Sequence, residues 1–373
     1  MPTYDSARTR REKTMRAHNF GAGPCTLPTD VLEEARDEFV DFAGTGMSLV
    51  EMSHRSAEYE QVHMRTLELT RRVSGAPEDF AILFVQGGAT LQFAMVPINL
   101  LASGQKAGYV VSGSWGSKAF DNARHHGEVY SAWDGKADGF TRMPDPGEVH
   151  ITGDTRYLHI TTNETIGGIR MVDLPEVDVP LVADMSSDYL ARPIDWDRYD
   201  LIYGGVQKNL APAGMAVVFV RTSVVADGPD DLGDYLRYAY HADSDSLGNT
   251  PPMFPIWIMG KVLERVVARG GVEAVERESA DKAGALYRAI DDSGGFYRNP
   301  VNPRDRSHMN VVFRLPTEDL EKQFVAEATG AGLIGLKGHR SVGGLRASLY
   351  AALSRESVDT LIDFMADFHT RNG

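Results

Sequence analysis

Cysteine is almost absent from this chain: Cys25 stands alone among 373 residues. A single thiol forms no disulfide within the chain and builds no cysteine-based zinc cage, and its isolation fits a reducing, cytoplasmic location. Long apolar runs are missing too. No stretch approaches the roughly 18 apolar residues needed to span a bilayer, so no membrane partner is expected. Positive charge is in deficit: 38 Lys and Arg face 52 Asp and Glu, for a formal net charge of −14. Such a surface repels phosphate backbones and counts against nucleic acid as a partner, but it leaves room for a small anion in a local basic pocket. Solenoid repeats and low-complexity tracts are lacking. Met1–Arg16 has no apolar stretch of signal-peptide type. Its Arg8, Arg10, Arg11, Lys13 and Arg16 leave an arginine-rich transit peptide open beside the plainer reading, a flexible tail over residues 1–17.

What is present is an ordinary globular balance, on a length that suits about two domains. Through the first two thirds, apolar runs alternate with helical patterns. Ala81–Gln86 reads as a strand and Thr90–Leu101 as the helix after it. Gly108–Ser112 is a strand before a helical stretch from Trp115 to His125. Tyr157–Thr161, Leu181–Asp184, Leu201–Gly205 and Met215–Val220 are further short apolar runs. This alternation predicts an α/β domain with a mainly parallel sheet. The helix Ile256–Ala268 stops at Gly270-Gly271. Beyond it come helices over Val272–Ile290, Glu318–Ala328 and Ser354–Phe368, with strands at Met309–Leu315 and Leu345–Leu349. That pattern predicts a small C-terminal α+β domain. The expected division is 18–271 for the large domain and 272–373 for the small one. In open α/β sheets ligands sit beyond the carboxyl ends of the strands, so the residues just after each strand are the ones to inspect.

Lys208 follows one such strand, in Tyr203-Gly204-Gly205-Val206-Gln207-Lys208-Asn209. Burial at a strand end lowers a lysine pKa, and a neutral amine forms Schiff bases with carbonyl groups; by itself, the window reads more readily as a surface loop. Asp184 closes Leu181–Asp184, one strand–crossover–strand unit upstream, so parallel strands carry both residues to the same sheet edge. An acid there keeps the pyridine nitrogen of pyridoxal 5′-phosphate protonated, whereas the plain alternative is a helix cap. Gln86-Gly87-Gly88-Ala89-Thr90 turns from strand to helix, where free N–H groups can receive a phosphate; glycine turns of this kind are also common for structural reasons alone. Trp115 either stacks on a ring or fills a core. Thr165, in Asn163-Glu164-Thr165, either donates to the cofactor or caps a turn.

These segments carry a resemblance. The set Gly21-Ala22-Gly23-Pro24, Met52–Arg55, Gln86–Gly88, Asn163–Thr165, Ala183–Ser187, Gln207–Asn209, Asn249–Pro252 and Leu336–Ser348 resembles the phosphoserine aminotransferase family, a class V group of the fold-type I pyridoxal-phosphate enzymes. It extends in order from about Asn19 to the C-terminus, and Met1–Ala17 exceeds the family's usual start. The resemblance implies that Lys208 is the Schiff-base lysine and proton carrier, Asp184 the pyridinium partner, Trp115 the ring stacker and Thr165 the donor on the phenolate side. It gives Ala89, Thr90 and Gln207 to the cofactor phosphate, with Asn249 and Thr250 reaching it from the neighbouring subunit of a homodimer. Some members carry an arginine where Thr90 stands here.

His54-Arg55 recurs as His339-Arg340, each followed by serine, and no other His-Arg doublet occurs. By resemblance these four hold the substrate phosphate and Arg346, in Gly343-Gly344-Leu345-Arg346, grips the α-carboxylate; the ordinary reading of each is a surface cation. The expected substrates are glutamate and 3-phosphohydroxypyruvate, or its one-carbon-longer homologue of pyridoxine synthesis. Another class V aminotransferase, of alanine or glyoxylate type, is the nearest alternative. A cysteine-dependent lyase would have to use Cys25, and a pyridoxal-phosphate protein without activity would have no need of Lys208, Asp184 and Arg346 together. Adjacent His125 and His126 point to different faces and have no third ligand, so no metal is expected.

Overall fold

The computed structural model describes residues 16–373. Residues 1–15 of the expected tail lie outside the described part, while Arg16 donates from Nη1 to Thr29 Oγ1 at 2.5 Å and Leu27 O at 3.3 Å.

Seven strands build the central sheet: β1 (Phe80–Gln86), β2 (Lys106–Val111), β3 (Glu128–Asp134), β4 (Thr155–Thr161), β5 (Leu181–Asp184), β6 (Tyr199–Gly205) and β7 (Met215–Arg221). Their order is β1-β7-β6-β5-β4-β2-β3. β7 is antiparallel to both neighbours, and the other pairings in this sheet are parallel. The mainly parallel sheet expected from the alternation is thus present. Successive residues of the inner strands feed opposite cores. Ala183, Ile202 and Val217 pack with Ile256, Met259 and Leu263 on one face; Val182, Leu201 and Val218 pack with Phe93, Val96 and Ala119 on the other. Burial on both faces is why these strands read as continuous apolar runs rather than alternating ones.

Several elements lie outside the sequence expectation, the longest of them one strand and two helices. β3 is an edge strand whose Glu128, Ser131 and Asp134 are exposed, so its apolar signal is weak. The helices Thr29–Glu38 and Ala57–Ser74 were not expected either. The second has a buried face built partly from His63, Thr66 and Thr70, which hides the 3.6-residue period. Its ends are closed by ordinary caps: Ser56 Oγ accepts from Tyr59 N at 3.3 Å, and Gly75 ends it in a left-handed conformation.

The second core surrounds an antiparallel pair, β8 (Asn310–Phe313) and β9 (Leu345–Ser348), in a register that sets Val312 opposite Arg346. The helices Gly271–Asp291, Glu318–Gly330 and Arg355–Asn372 pack Leu286, Phe324, Leu361 and Phe368 around it. Phe20 belongs to this core, and His18–Asn19 pair with Leu333–Ile334. Residues 18–20, placed by sequence in the large domain, therefore pack with the small one. Among the described residues, no helix is long and apolar enough to cross a membrane.

Candidate active site

The carboxyl ends of β1, β2, β4, β5 and β6 share one sheet edge, and residues at or just after the ends of β1, β2, β5 and β6 line a cavity of about 350 Å³. Lys208, Asp184, Trp115, Gln207, Ala89 and Thr90 all face it. β1 delivers Gly87 and Gly88, whose positive φ angles of 89° and 63° suit glycine, and the helix Gly88–Leu100 opens there with unpaired N–H groups toward the cavity.

Lys208 is buried, and its Nζ donates to Thr165 Oγ1 at 2.7 Å. The same Nζ lies 5.4 Å from the centre of the Trp115 ring. Burial pushes the lysine down to about 8, against the pull of the Asp184 and Glu164 carboxylates. At Asp184 burial pushes the carboxyl upward, while hydrogen bonds from Ser186 Oγ (2.6 Å) and Ser186 N (2.9 Å) and the Lys208 charge hold it back.

Arg346 adjoins this centre, with Nη1 donating to Thr165 O at 3.3 Å. It lines a second cavity, of about 230 Å³, together with His339. Arg340 borders a third cavity, which it shares with His339. His54, Arg55, Asn249 and Thr250 line none of these three cavities within one chain. Thr250 instead accepts at its carbonyl from Gln86 Nε2 of its own chain at 3.0 Å. Two buried donors around the centre lack a partner among the described residues: Trp115 Nε1 and Arg346 Nε. Such groups are costly to leave unmatched, and an anion or a polar ring satisfies them.

Glu164 was passed over in the sequence as an unassigned member of Asn163-Glu164-Thr165. It is fully buried, and its carboxylate accepts from Trp115 N at 3.0 Å and Gly116 N at 2.7 Å. A Cβ on Gly113 would meet Glu164 Cδ at 2.6 Å, so glycine at 113 is what admits this carboxylate beneath the helix start. Burial pushes Glu164 up to about 7, with the two backbone amides pulling it down and Asp184 adding to the rise. Its signal, a glutamate just after a strand and facing a Gly-Ser-Trp-Gly helix start, becomes readable only when β2 and β4 are known to be neighbours.

Cys25 adjoins this centre. Its thiol donates to Lys208 O, and Cys25 N donates to Gln207 O at 3.0 Å. Burial pushes the thiol up to about 12, the direction opposite to what a thiolate nucleophile needs.

A buried lysine of lowered pKa, a facing carboxylate, an aromatic wall and a glycine-opened helix start form a donor set that fits pyridoxal 5′-phosphate. With the seven-stranded sheet order they define a fold-type I pyridoxal-phosphate enzyme. The model of the class-V aminotransferase family matches residues 17–361. A phosphoserine aminotransferase of Lysinibacillus sphaericus is 48% identical over 360 residues, 96% of this chain and 99% of that one. The solved phosphoserine aminotransferase of Bacillus circulans subsp. alkalophilus superposes with a TM-score of 0.95 at 47% identity, over 96% of this chain and all of that one. A pyridoxal-phosphate-bound phosphoserine aminotransferase from Trichomonas vaginalis reaches a TM-score of 0.90 at 35% identity, over 94% of this chain and 100% of that one. The chain belongs to the class-V aminotransferases and, within them, to the phosphoserine aminotransferase family.

Proposed function

We propose that this enzyme, with pyridoxal 5′-phosphate as cofactor, transfers the amino group of L-glutamate to 3-phosphohydroxypyruvate. The products are O-phospho-L-serine and 2-oxoglutarate, a step of L-serine biosynthesis in the cytoplasm. The one-carbon-longer phosphorylated oxo acid of pyridoxine synthesis is a second substrate of the same chemistry. The observation that carries this reading is the convergence of a buried Lys208 and Asp184 in one cavity, with Arg346 joined to them through Thr165.

Bound cofactor supplies the electron sink for cleavage of the Cα–H bond. Lys208 Nζ takes the proton from the Cα of glutamate in one half-reaction and returns a proton to the Cα of the product in the other. Thr165 Oγ1 orients that amine through the 2.7 Å hydrogen bond. Asp184 presents the negative charge that keeps the ring nitrogen protonated, and Trp115 walls the ring from water. Ala89, Thr90 and Gln207 bind the cofactor phosphate. The Arg346 fork, with its unpartnered Nε, holds the substrate α-carboxylate and so aligns the Cα–H bond. His339 and Arg340 hold the distal anion, which is phosphate in one half-reaction and the glutamate side-chain carboxylate in the other.

His54, Arg55, Asn249 and Thr250 complete the site from the partner subunit of a homodimer. Exposed apolar side chains on the approach to His54 support this: Phe39, Val40, Met47 and Val50 all face solvent in one chain, Val40 at 80%. The two bodies of each subunit are residues 21–271, and 272–373 together with 18–20.

The test is glutamate-dependent turnover with the two phosphorylated oxo acids and with an unphosphorylated one. A strong preference for a phosphorylated acid is expected, and its absence would overturn the reading. In Arg340→Ala, KM should rise about fivefold or more for both glutamate and the phosphorylated acid. A rise for only one of them would defeat the shared anion site.

A further inference from the structure

We propose that Asn310 is a positioning residue for the amino-group transfer, acting through Arg346: it fixes where the guanidinium that grips the substrate α-carboxylate stands relative to the Lys208 amine. The inference rests on the roles of Arg346 and Lys208 proposed above. It adds to them a side chain that lines none of the three site cavities.

Asn310 opens β8 and stands opposite Ser348 of β9, in the register that sets Val312 opposite Arg346. Opposed residues, and residues two apart on a strand, share a face, so Asn310, Ser348 and Arg346 project from one side of the pair. Asn310 Nδ2 donates to Ser348 Oγ at 3.0 Å and to Tyr350 OH at 3.2 Å. Its Oδ1 accepts from Asn163 Nδ2 at 2.8 Å. Asn163 belongs to the loop after β4, two residues before Thr165. Its Nδ2 also donates to Ser187 Oγ at 2.7 Å, just past Asp184, and its Oδ1 accepts from Ser307 Oγ at 2.5 Å. Both N–H groups of each amide are therefore used, and all of these side chains are buried.

These contacts close a ring. From Asn310 they pass through Ser348 and along β9 to Arg346, whose Nη1 donates to Thr165 O at 3.3 Å. From Thr165 they return through Asn163 to Asn310. Thr165 Oγ1 meanwhile accepts from Lys208 Nζ at 2.7 Å. Thr165 is thus the common reference for the amine that moves the Cα proton and the fork that holds the carboxylate. One long bond from Arg346 to Thr165 leaves the guanidinium free to drift. Asn310 supplies the second tie between β9 and the loop after β4. Apolar packing alone is non-directional and tolerates sliding. Hydrogen bonds between saturated, buried amides hold in one relative placement only. A misplacement of about 1 Å at a reacting centre costs on the order of 100-fold in rate, so a tie of this kind has a large effect on turnover.

The test is a double-mutant cycle on the holoenzyme, since coupling appears only between residues that act through each other. The variants are N310A, the milder S348A, R346K and the two combinations with R346K, each first shown to retain the cofactor absorbance band. The quantity read is kcat/KM for glutamate and for 3-phosphohydroxypyruvate, which share the α-carboxylate. N310A should lower both about tenfold and S348A about threefold, part of the loss expected for a displaced clamp. In the R346K background, which has already lost the fork, adding N310A should cost less than about threefold and adding S348A almost nothing. Should N310A fail to fold, the S348A cycle decides alone. The full single-variant loss repeated in R346K overturns the inference, because it marks a structural role independent of Arg346. A loss for only one substrate, or single variants within twofold of wild type while R346K is impaired, overturns it too and leaves the functional reading standing. An R346K enzyme as active as wild type removes Arg346 from the carboxylate grip and takes this inference with it.

Discussion

In its proposed role, Lys208 has to satisfy two requirements that conflict in water. It must be neutral to attack a carbonyl group and to accept a proton, yet an ordinary lysine is charged at neutral pH. Burial resolves this by bringing its pKa down to about 8, so the neutral fraction grows as pH rises through that value. Capture of added pyridoxal 5′-phosphate by cofactor-free protein, followed by absorbance, should therefore speed up with pH and level off above about 8. Glu164 acts in the opposite direction, since its carboxylate raises Lys208. In E164Q the midpoint of that profile should move to lower pH. An unchanged midpoint, or one displaced upward, would remove Glu164 from the electrostatics of the site. At this scale the meeting of Lys208 and Asp184 at one cavity was legible, because a lysine and an aspartate each placed at the end of an apolar run are local patterns. The role of Glu164 was not, because its two donors lie on a helix nearly fifty positions away in sequence.

At the scale of elements, the small domain is fastened by another buried lysine. Lys282, on the helix Gly271–Asp291, donates to Tyr350 O and Leu353 O, both at 2.9 Å. These carbonyls follow β9, the strand that carries Arg346. K282M should cost about 1–3 kcal/mol, since a methionine of similar reach leaves both acceptors unmatched. Thermal unfolding reads this as a lowered Tm; a variant that melts with wild type would show that these bonds contribute nothing net. A polar joint lies nearby, where Asn163 Nδ2 donates to Ser187 Oγ at 2.7 Å and to Asn310 Oδ1 at 2.8 Å, linking the loops after β4 and β5 to β8. Strands and helices with one strong apolar pattern were read correctly from the sequence. β3 and the helix Ala57–Ser74 were not, because an edge position and a polar buried face weaken the periodicity on which such a reading depends.

For the whole molecule, the open question is how the second His-Arg doublet reaches a substrate. His54 and Arg55 border none of the three site cavities in a single chain, whereas His339 and Arg346 share one. A second subunit resolves this if it covers the exposed Phe39, Val40, Met47 and Val50. Light scattering should give twice the chain mass. V40E, a charge placed on the most exposed of these residues, should shift the protein toward monomer and reduce turnover while Lys208 still holds cofactor. A fully active wild-type monomer would exclude shared sites.

The sequence by itself determined the sheet-bearing fold class and the strand ends that present Lys208, Asp184 and the glycine turn, because each depends on a short run of residues and its period. Only the tertiary structure decided which charges meet. Glu164 beneath Trp115, Cys25 against Lys208 and Phe20 in the far domain's core are all contacts between segments distant along the chain. Such contacts are set by strand order and helix packing, which no local pattern of side chains encodes.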